Sequence, residues 1–269
     1  MNLFQALILG LVQGLTEFIP VSSSGHLVLV PWFLGWPSPG LAFDTVLHLG
    51  TLAAILAVFW RDLIALALAL IDGVRRRSLA TAQSKMAAAL VIATVPAALL
   101  GYFGQKLFED LFSAPEWVAA FLLGTAVLLL ASERLVGKAR SLEQVGARSA
   151  LLIGLFQGLA IAPGLSRSGA TISAGRFLGL PRADAARFSF LLAAPIIAGA
   201  GGLQVVKLAG TGALSQNAGL LLIGFVTALA SGYLVIRFLL KYLQQHSLAP
   251  FALYCAGLGL LTLVAWLVR

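Results

Sequence analysis

The chain has 269 residues, of which 60% are hydrophobic and only 10% are charged, and its mean hydropathy is +0.98. Because a soluble domain carries about 25% charged residues, this composition excludes a soluble enzyme and is typical of an integral membrane protein. The formal net charge of +8 does not indicate nucleic-acid binding, since the basic residues cluster in short loops beside apolar segments.

Six apolar segments have the length of about 17–25 residues that a helix needs to cross the hydrocarbon core. Strands of an outer-membrane barrel would instead show about ten residues of alternating polarity, which the sequence does not show. The segment 62–72 is too short for a further crossing, and we expect it to form an interfacial helix. The predicted spans cover residues 42–60, 85–103, 116–131, 183–205, 217–240 and 249–268.

Two other segments, residues 2–35 and 149–178, differ from these spans. In each of them a short apolar stretch runs into Pro, Gly and Ser residues, and a second short apolar stretch follows. Irregular backbone at membrane depth is tolerated only where protein buries it or water reaches it. We therefore predict that each segment is a re-entrant helical hairpin, which enters and leaves the membrane on one side.

The two hairpins carry one motif twice. GLVQGLTEFIPVSSSGH (10–26) and GLFQGLAIAPGLSRSGA (154–170) lie 144 residues apart and are identical at eight of seventeen positions. Three predicted spans separate the hairpins. Because three is odd, the hairpins enter from opposite faces, which predicts an inverted-topology repeat whose Ser-Gly tips meet near the midplane.

The basic residues predict the orientation. One cluster contains Arg75–Arg77, another lies in the loop 132–148, and two predicted spans separate them, so both clusters lie on the cytoplasmic side. The first hairpin then enters from outside and the second from the cytoplasm, while loops 104–115 and 206–216 are external. The predicted organisation is a single membrane domain (1–269) with repeat 1 at about 1–131, the cytoplasmic loop at 132–148 and repeat 2 at about 149–269.

The first tip contains residues that are suited to binding a metal. Gln13 and Glu17 are four residues apart and therefore share one helical face. An ionised carboxylate inside a membrane is costly and is usually functional. Because carboxylate and carboxamide oxygens are hard ligands, the pair favours a divalent cation, Mg²⁺ or Ca²⁺. The alternative is a Gln–Glu hydrogen bond that only packs two helices together.

Residues 22–26, SSSGH, follow a proline and open the next helix. Serines at that position cap a helix, whose N-terminus also favours anions, so Ser22 is a candidate phosphate contact. His26 follows Ser23 by three residues and could take a proton from its hydroxyl or give one to a leaving group. The sequence thus predicts catalytic Ser23 and His26. The alternative is a histidine that only makes a hydrogen bond within the fold.

The second tip carries Arg167 where the first carries Ser23. An arginine within a membrane needs a partner, and its planar fork fits a phosphate in bidentate fashion. A structural Arg167–Glu17 salt bridge is the alternative, but it leaves the neighbouring hydroxyls unexplained. The predicted phosphate-binding residues are Arg167, Ser166, Ser168, Thr171 and Ser22.

Together these groups suit metal-assisted phosphoryl transfer, in which positioning and charge neutralisation supply most of the catalysis. The expected substrate has a pyrophosphate head group at the interface and a tail in the lipid. Asp44 and His48 are also four residues apart. The sequence leaves open whether they line the same pocket or only pack against each other.

At these residues the chain resembles the undecaprenyl-diphosphate phosphatase family, also called the bacitracin-resistance protein family. The resemblance covers essentially the whole chain. Its strongest elements are QGLTEFIPVSSSGH and PGLSRSGAT, and the supporting stretches are FDTVLHLGTLAA (43–54), ATVPAALLG (93–101) and ARFSFLLAAPIIAGA (186–200).

The resemblance implies a divalent-metal-dependent enzyme of the bacterial plasma membrane, with its active site open to the periplasmic or outer face. Such an enzyme hydrolyses undecaprenyl diphosphate, which recycles the lipid carrier for peptidoglycan synthesis and confers bacitracin resistance. By motif position, Glu17 and Gln13 correspond to the metal-binding pair, Ser23 to the nucleophile and His26 to its partner. Arg167 belongs to the phosphate motif. Some members carry glutamate at the position of Gln13, so the ligand is neutral in this chain.

The main alternative function is a secondary transporter or flippase of a phosphorylated lipid, because inverted repeats with broken helices are typical of transporters. The difference between the two tips favours the phosphatase, since Glu17, Ser23 and His26 have no counterparts in the second half. The sequence leaves a monomer and a homodimer both open.

Overall fold

The computed structural model describes residues 1–104, 111, 114–212, 214 and 217–268. Within this part of the chain all regular structure is helical, which confirms the predicted all-α fold. A short 3-10 turn covers Leu142–Gln144. The α-helices are α1 (Leu3–Phe18), α2 (Ser23–Leu34), α3 (Leu41–Arg75), α4 (Ala82–Phe103), α5 (Pro115–Arg134), α6 (Ala147–Leu159), α7 (Arg167–Phe177), α8 (Arg182–Ala209), α9 (Ala218–Tyr242) and α10 (Ala249–Val268).

Six of the helices, namely α3, α4, α5, α8, α9 and α10, are long and apolar enough to cross a membrane. The shortest of them has 20 residues, which matches the length of about 20 residues that a crossing needs. They coincide with the six predicted spans except at the end of α3. Much of the predicted loop 104–115, including Glu109 and Asp110, lies outside the described residues, as does part of the loop 206–216.

The prediction of a separate interfacial helix at 62–72 was wrong, because these residues belong to α3. The helix continues from Leu41 to Arg75, although the backbone of Phe59 is locally non-helical, with φ −109° and ψ 17°. Neither glycine nor proline occurs between Ile55 and Leu70, so the sequence has nothing that would stop the helix there. The chain therefore bends at Phe59 and continues as a helix.

Four helices are much shorter than the spans, and they form two pairs. In the first pair, α1 ends where Ile19 becomes extended (φ −61°, ψ 133°), as expected for a residue before a proline. In the second pair, α6 ends at Leu159, and a run of turns leads to α7. The helices within each pair contact each other. The breaks between the paired helices lie where the sequence predicts the two hairpin tips.

The first helix of each pair packs against the opposite half of the chain. Helix α1 lies along α9, and helix α6 lies along α4. Both contacts use a glycine that brings two backbones close together. A Cβ atom added to Gly10 would lie 2.8 Å from the carbonyl oxygen of Gly224, and one added to Gly154 would overlap the carbonyl of Ala93. Such small-residue contacts are typical of membrane helices, where close packing replaces the hydrophobic effect as the driving force.

The turns of the two short pairs and helix α7 lie inside the bundle, whereas α1 and α6 each keep one apolar face exposed. Helix α5 packs on α10, helix α3 packs on α8, and α7 contacts both α5 and α8. At the end of α1, the ring of Phe18 meets that of Phe190 edge-on at 5.3 Å between centroids, and both side chains are buried. The polar tips are therefore enclosed by protein, as irregular backbone in a membrane requires.

Candidate active site

The turns of the two short helix pairs meet. The backbone N–H of Gly164 donates a hydrogen bond to Ser22 Oγ at 3.1 Å, and Ser168 Oγ donates to the carbonyl oxygen of Ile19 at 3.4 Å. Gly164 has φ +99°, and a Cβ there would overlap the carbonyl of Val118 on α5, so the close approach requires glycine. The structure thus joins two tips that lie far apart in the sequence.

The serine that precedes each second helix caps it. Ser22 Oγ accepts a hydrogen bond from the N–H of Gly25 at 3.2 Å, and Ser166 Oγ accepts one from the N–H of Gly169 at 3.0 Å. Each capping hydroxyl also lies within hydrogen-bond distance of the serine two residues later, at 3.3 Å and 3.1 Å respectively. The positions at which the two motifs agree therefore build the same local structure twice.

The residues at which the motifs differ meet at one carboxylate. Ser23 and Arg167 are the first residues of α2 and α7. Ser23 Oγ donates a hydrogen bond to Glu17 Oε2, and the Arg167 guanidinium forms an ion pair with Glu17 Oε1. Gln13 Nε2 donates to Glu17 Oε2 at 3.0 Å. The structure therefore brings together four of the predicted site residues. It also contains both contacts that the sequence offered as structural alternatives, the Gln13–Glu17 hydrogen bond and the Arg167–Glu17 salt bridge.

Glu17, Ser23 and Arg167 border a cavity of about 850 Å³, whereas Gln13 is fully buried behind its lining. Glu17, Ser22, Ser23, Ser166 and Arg167 form its polar end. The remaining wall is largely apolar and comes from α2, α3, α4, α6, α8 and the turns beside them. The apolar and aromatic lining residues include Leu27, Val28, Trp32, Trp36, Ala97, Ile161, Leu165, Ile196 and Ile197.

Asp44 and His48 on α3 line the same cavity, which decides one of the alternatives that the sequence left open. His48 Nε2 lies 3.8 Å from Glu17 Oε2, and its Nδ1 is 2.8 Å from the backbone carbonyl of Asp44. The Asp44 Oδ1 atom is buried and has no hydrogen-bond partner. The His48 imidazole therefore stands beside the Glu17 carboxylate, and Asp44 contributes a buried carboxylate to the same cavity.

In the structure the hydrogen-bond partners of His26 are Ser22 and Tyr254, in contrast to the predicted Ser23–His26 pair. The ring Nδ1 of His26 is 2.7 Å from the carbonyl oxygen of Ser22, and Nε2 is 2.7 Å from the hydroxyl of Tyr254 on α10. Both ring nitrogens are thus engaged, and the acceptor for Ser23 is Glu17. The sequence analysis missed Tyr254, because no motif marks it in an apolar helix 228 residues away.

The hydroxyls of the second tip hold that tip together. Thr171 Oγ1 donates to the carbonyl of Arg167 at 2.8 Å and lies 2.6 Å from Ser189 Oγ on α8. Thr125 Oγ1 on α5 accepts from the N–H of Ser166 and donates to Gly164, both at 2.9 Å. Of the predicted phosphate-binding residues, Arg167, Ser166 and Ser22 border the cavity, whereas Ser168 and Thr171 do not. The phosphate-binding role of those two residues stays a prediction.

The predicted cation needs oxygen ligands near Glu17. Within the described residues, no three His, Cys, Asp or Glu side chains form a ready-made metal cage. However, Gln13 Oε1 is buried without a hydrogen-bond partner, as is Asp44 Oδ1. Mg²⁺ is usually bound through one or two carboxylates together with substrate phosphates. The donor set around Glu17 therefore fits a cation that takes its other ligands from a diphosphate.

Comparison with known proteins identifies the family of the chain. The family model of the bacitracin resistance protein BacA matches residues 6–261. An undecaprenyl-diphosphatase of Thermomicrobium roseum is 44% identical over 272 residues, which cover 98% of this chain and 98% of the relative. Another of Pelobacter propionicus is 46% identical over 255 residues (94% and 93%), and one of Desulforudis audaxviator is 43% identical over 273 residues (100% of both). The chain belongs to the bacitracin resistance protein BacA family.

Proposed function

We propose that this protein is an undecaprenyl-diphosphatase, a membrane hydrolase that converts undecaprenyl diphosphate to undecaprenyl phosphate and phosphate. Its relatives of that name match it over nearly their whole length. The proposal includes recycling of the lipid carrier for peptidoglycan synthesis and the resulting resistance to bacitracin, which the family description names.

The observation that carries the proposal is the meeting of Ser23, Glu17 and Arg167 at the polar end of a largely apolar cavity. A guanidinium has five N–H donors, and the contact with Glu17 leaves others free to hold a phosphate. The apolar wall offers a polyprenyl tail surroundings similar to lipid. A water-soluble phosphate ester would gain nothing from such a wall, so the cavity favours a lipid diphosphate.

The contacts support a two-step reaction. Ser23 Oγ attacks the terminal phosphorus, its proton passes to Glu17, and the bond between that phosphorus and the bridging oxygen breaks, releasing undecaprenyl phosphate. Water then cleaves the phosphoserine, which releases phosphate and restores Ser23. Arg167 holds the terminal phosphoryl oxygens and opposes their charge in both steps. Direct attack by water gives the same products. Recovery of phosphorylated Ser23 after rapid quenching supports the serine route, and its absence supports the direct one.

A divalent cation, Mg²⁺ or Ca²⁺, completes the proposed site. Glu17 and Gln13 would hold it together with oxygens of the substrate, and the buried unpaired oxygen of Gln13 supports this assignment. When bound, the cation neutralises charge on the diphosphate. Gln13 also donates to Glu17 and so keeps the carboxylate facing Ser23.

Phosphate release tests the proposed activity. We expect the purified protein in detergent to release one phosphate per undecaprenyl diphosphate, and the rate to fall at least about a hundredfold in EDTA, because a catalytic cation supplies several kcal/mol. Adding back Mg²⁺ or Ca²⁺ should restore the rate. A protein that releases no phosphate but moves a phosphorylated lipid between leaflets would be the transporter instead. Full turnover in EDTA would remove the cation from the proposal.

We also propose that the two short helix pairs are re-entrant and that the halves form an inverted repeat. The packing of the pairs supports it. Gly14 on α1 faces Ala228 on α9, and Gly158 on α6 faces Ala97 on α4. Ala97 and Ala228 are 131 residues apart, the same separation as between Ala93 and Gly224, which contact the preceding glycines of the same helices. Helix α1 of the first half therefore contacts α9 of the second half in the same way as helix α6 of the second half contacts α4 of the first half.

The proposed orientation places the cavity open to the outer face of a bacterial plasma membrane. Segments that the sequence predicts to be cytoplasmic do lie together. The Glu133 carboxylate pairs with Arg182 and accepts a hydrogen bond from the N–H of Leu248 at 3.0 Å. The N–H of Arg140 donates to Gly179 at 3.0 Å. These contacts support one shared side for the loops that follow α5, α7 and α9.

Cysteine labelling in intact cells tests this topology. In a background in which the buried Cys255 is replaced by alanine, Ser38→Cys should react with a membrane-impermeant maleimide, because the turn after α2 is proposed to be external. Glu143→Cys, in the 3-10 turn, should react only after permeabilisation. Both side chains are exposed, so each is an accessibility control for the other. Labelling of Glu143→Cys in intact cells would refute the proposed orientation.

A further inference from the structure

The backbone of Ser22, directly before the proposed nucleophile, is strained. Its φ is +70°, and within the described residues only one other non-glycine residue, Arg77, has a positive φ. A serine adopts this region only when surrounding contacts impose it, and such residues concentrate at functional sites. Because Ser23 follows Ser22 directly, the Ser22 conformation sets the direction in which the Ser23 hydroxyl leaves the chain. The contacts that hold Ser22 therefore control the nucleophile.

His26 supplies two of these contacts. Its Nδ1 lies 2.7 Å from the Ser22 carbonyl oxygen, which also accepts the backbone N–H of His26 at 3.2 Å. A carbonyl oxygen only accepts hydrogen bonds, so Nδ1 must carry the proton of the neutral ring. The imidazole is therefore a donor toward Ser22, and its lone pair is on Nε2, which faces away from that carbonyl.

Tyr254 fixes the other side of the ring. The Tyr254 hydroxyl lies 2.7 Å from His26 Nε2, and the two ring planes are within 6° of parallel. Because Nε2 of the neutral ring is an acceptor, the tyrosine donates. His26 is 6% exposed, so no bulk water competes for either nitrogen. A hydrogen-bond chain thus runs from Tyr254 on α10 through His26 to the strained carbonyl of Ser22.

We infer that His26 and Tyr254 are positioning residues, which hold the Ser22 backbone so that the Ser23 hydroxyl faces Glu17. The inference rests on the proposed phosphatase activity. His26 takes no proton from Ser23 in this arrangement, because both of its nitrogens are occupied and the hydroxyl of Ser23 donates to Glu17. The role of Tyr254 is indirect, since it acts on Ser22 only through the imidazole.

Substitutions that keep one ring nitrogen at a time test the inference. In His26→Asn the amide N–H takes the place of Nδ1–H, whereas in His26→Gln the amide reaches the position of Nε2. We expect His26→Asn to keep kcat for undecaprenyl diphosphate within about tenfold of the wild type, and His26→Gln and His26→Ala to lose about a hundredfold or more. This order follows from the loss of a buried donor at Ser22. Neither amide can act as a base.

Equal loss of activity in His26→Asn and His26→Ala overturns the inference. In that case both variants should keep the melting temperature of the wild type and should lose one limb of the pH–rate profile that the wild type shows. Such a result would show that His26 is a proton acceptor. If His26→Asn keeps both that limb and the activity, positioning holds. KM is expected to change little in every variant, because the contact holds the nucleophile and not the lipid.

A double-mutant cycle tests Tyr254 separately. Tyr254→Phe should lower kcat by about three- to tenfold in the wild type, as expected for one neutral hydrogen bond, and should have no effect when combined with His26→Asn. Equal losses in both backgrounds would show that Tyr254 acts independently of His26. Melting temperatures should show the same coupling without any turnover. A wild type that releases no phosphate would refute the proposed function instead, and the coupling in melting temperature would then decide whether the hydrogen-bond chain exists.

Discussion

Replacing Glu17 by glutamine is expected to reduce kcat/KM for undecaprenyl diphosphate by about 10²–10⁴-fold, the range found for loss of a general base. The glutamine amide occupies nearly the same volume but cannot take the proton that Ser23 gives up. It also cannot pair with Arg167, and it removes the carboxylate that is proposed to hold the cation. Phosphate release at saturating and at low substrate concentration measures the loss.

The same substitution should destabilise the protein. The Glu17 side chain is 4% exposed and that of Arg167 is 20% exposed, so the substitution leaves a largely buried guanidinium without its partner. Breaking a buried pair on one side costs about 3–5 kcal/mol. In Asp62→Asn, an acid is changed to its amide in the Asp62–Arg187 pair, whose side chains are 39% and 43% exposed. That control should lose no more than about 1 kcal/mol.

The double variant Glu17→Gln, Arg167→Met separates a structural salt bridge from a catalytic site. With both charges removed, no unpaired charge remains buried, so the melting temperature should recover toward that of the wild type. Activity should stay at the level of Glu17→Gln or below. Recovery of both stability and turnover in the double variant would show that the pair is structural, which the sequence left as an alternative.

Replacing Arg167 by lysine should lower kcat/KM by about 10²–10³-fold, a loss comparable to that of one preorganised donor at a developing negative charge. Lysine keeps the positive charge opposite Glu17, so the melting temperature should change little. It lacks the planar fork that holds a phosphoryl group while another N–H contacts the carboxylate. The measurement is the rate of phosphate release together with thermal unfolding of the same preparation.

Arg187→Lys is the matched control for this substitution. Arg187 pairs with Asp62 at 2.8 Å, at a half-exposed position outside the cavity lining. The same change of guanidinium to ammonium should therefore leave turnover within about twofold, since exposed pairs contribute little. Turnover of Arg167→Lys as high as that of Arg187→Lys would contradict the assignment of Arg167 as the phosphate clamp.

Several features of the site follow from local rules. Gln13 and Glu17 lie four residues apart on one helix, and the structure shows the hydrogen bond between their side chains that this spacing allows. The serines at the starts of α2 and α7 cap those helices, which depends only on neighbouring residues. Because an arginine within a membrane needs a partner, the sequence predicted a contact for Arg167. In the structure that partner is Glu17.

Other features depend on contacts that no local rule specifies. The spacing of Ser23 and His26 suggested a pair, but three residues along the first turn of a helix do not determine which way an imidazole turns. Tyr254 and the carbonyl of Ser22 fix the ring in the structure. Likewise, Thr125 on α5 holds the second tip, although nothing in its own segment distinguishes it from other membrane threonines.

The sequence by itself therefore determined the all-α membrane fold, the six spans, the two broken helix pairs and the family, because apolar length, helix capping and motif identity are properties of short segments. Only the tertiary structure decided that Ser23 faces Glu17 rather than His26, that Asp44 and His48 line the cavity, and that Tyr254 reaches the first tip. These contacts join residues from different helices, and the packing of those helices, not their spacing along the chain, sets the distances between them.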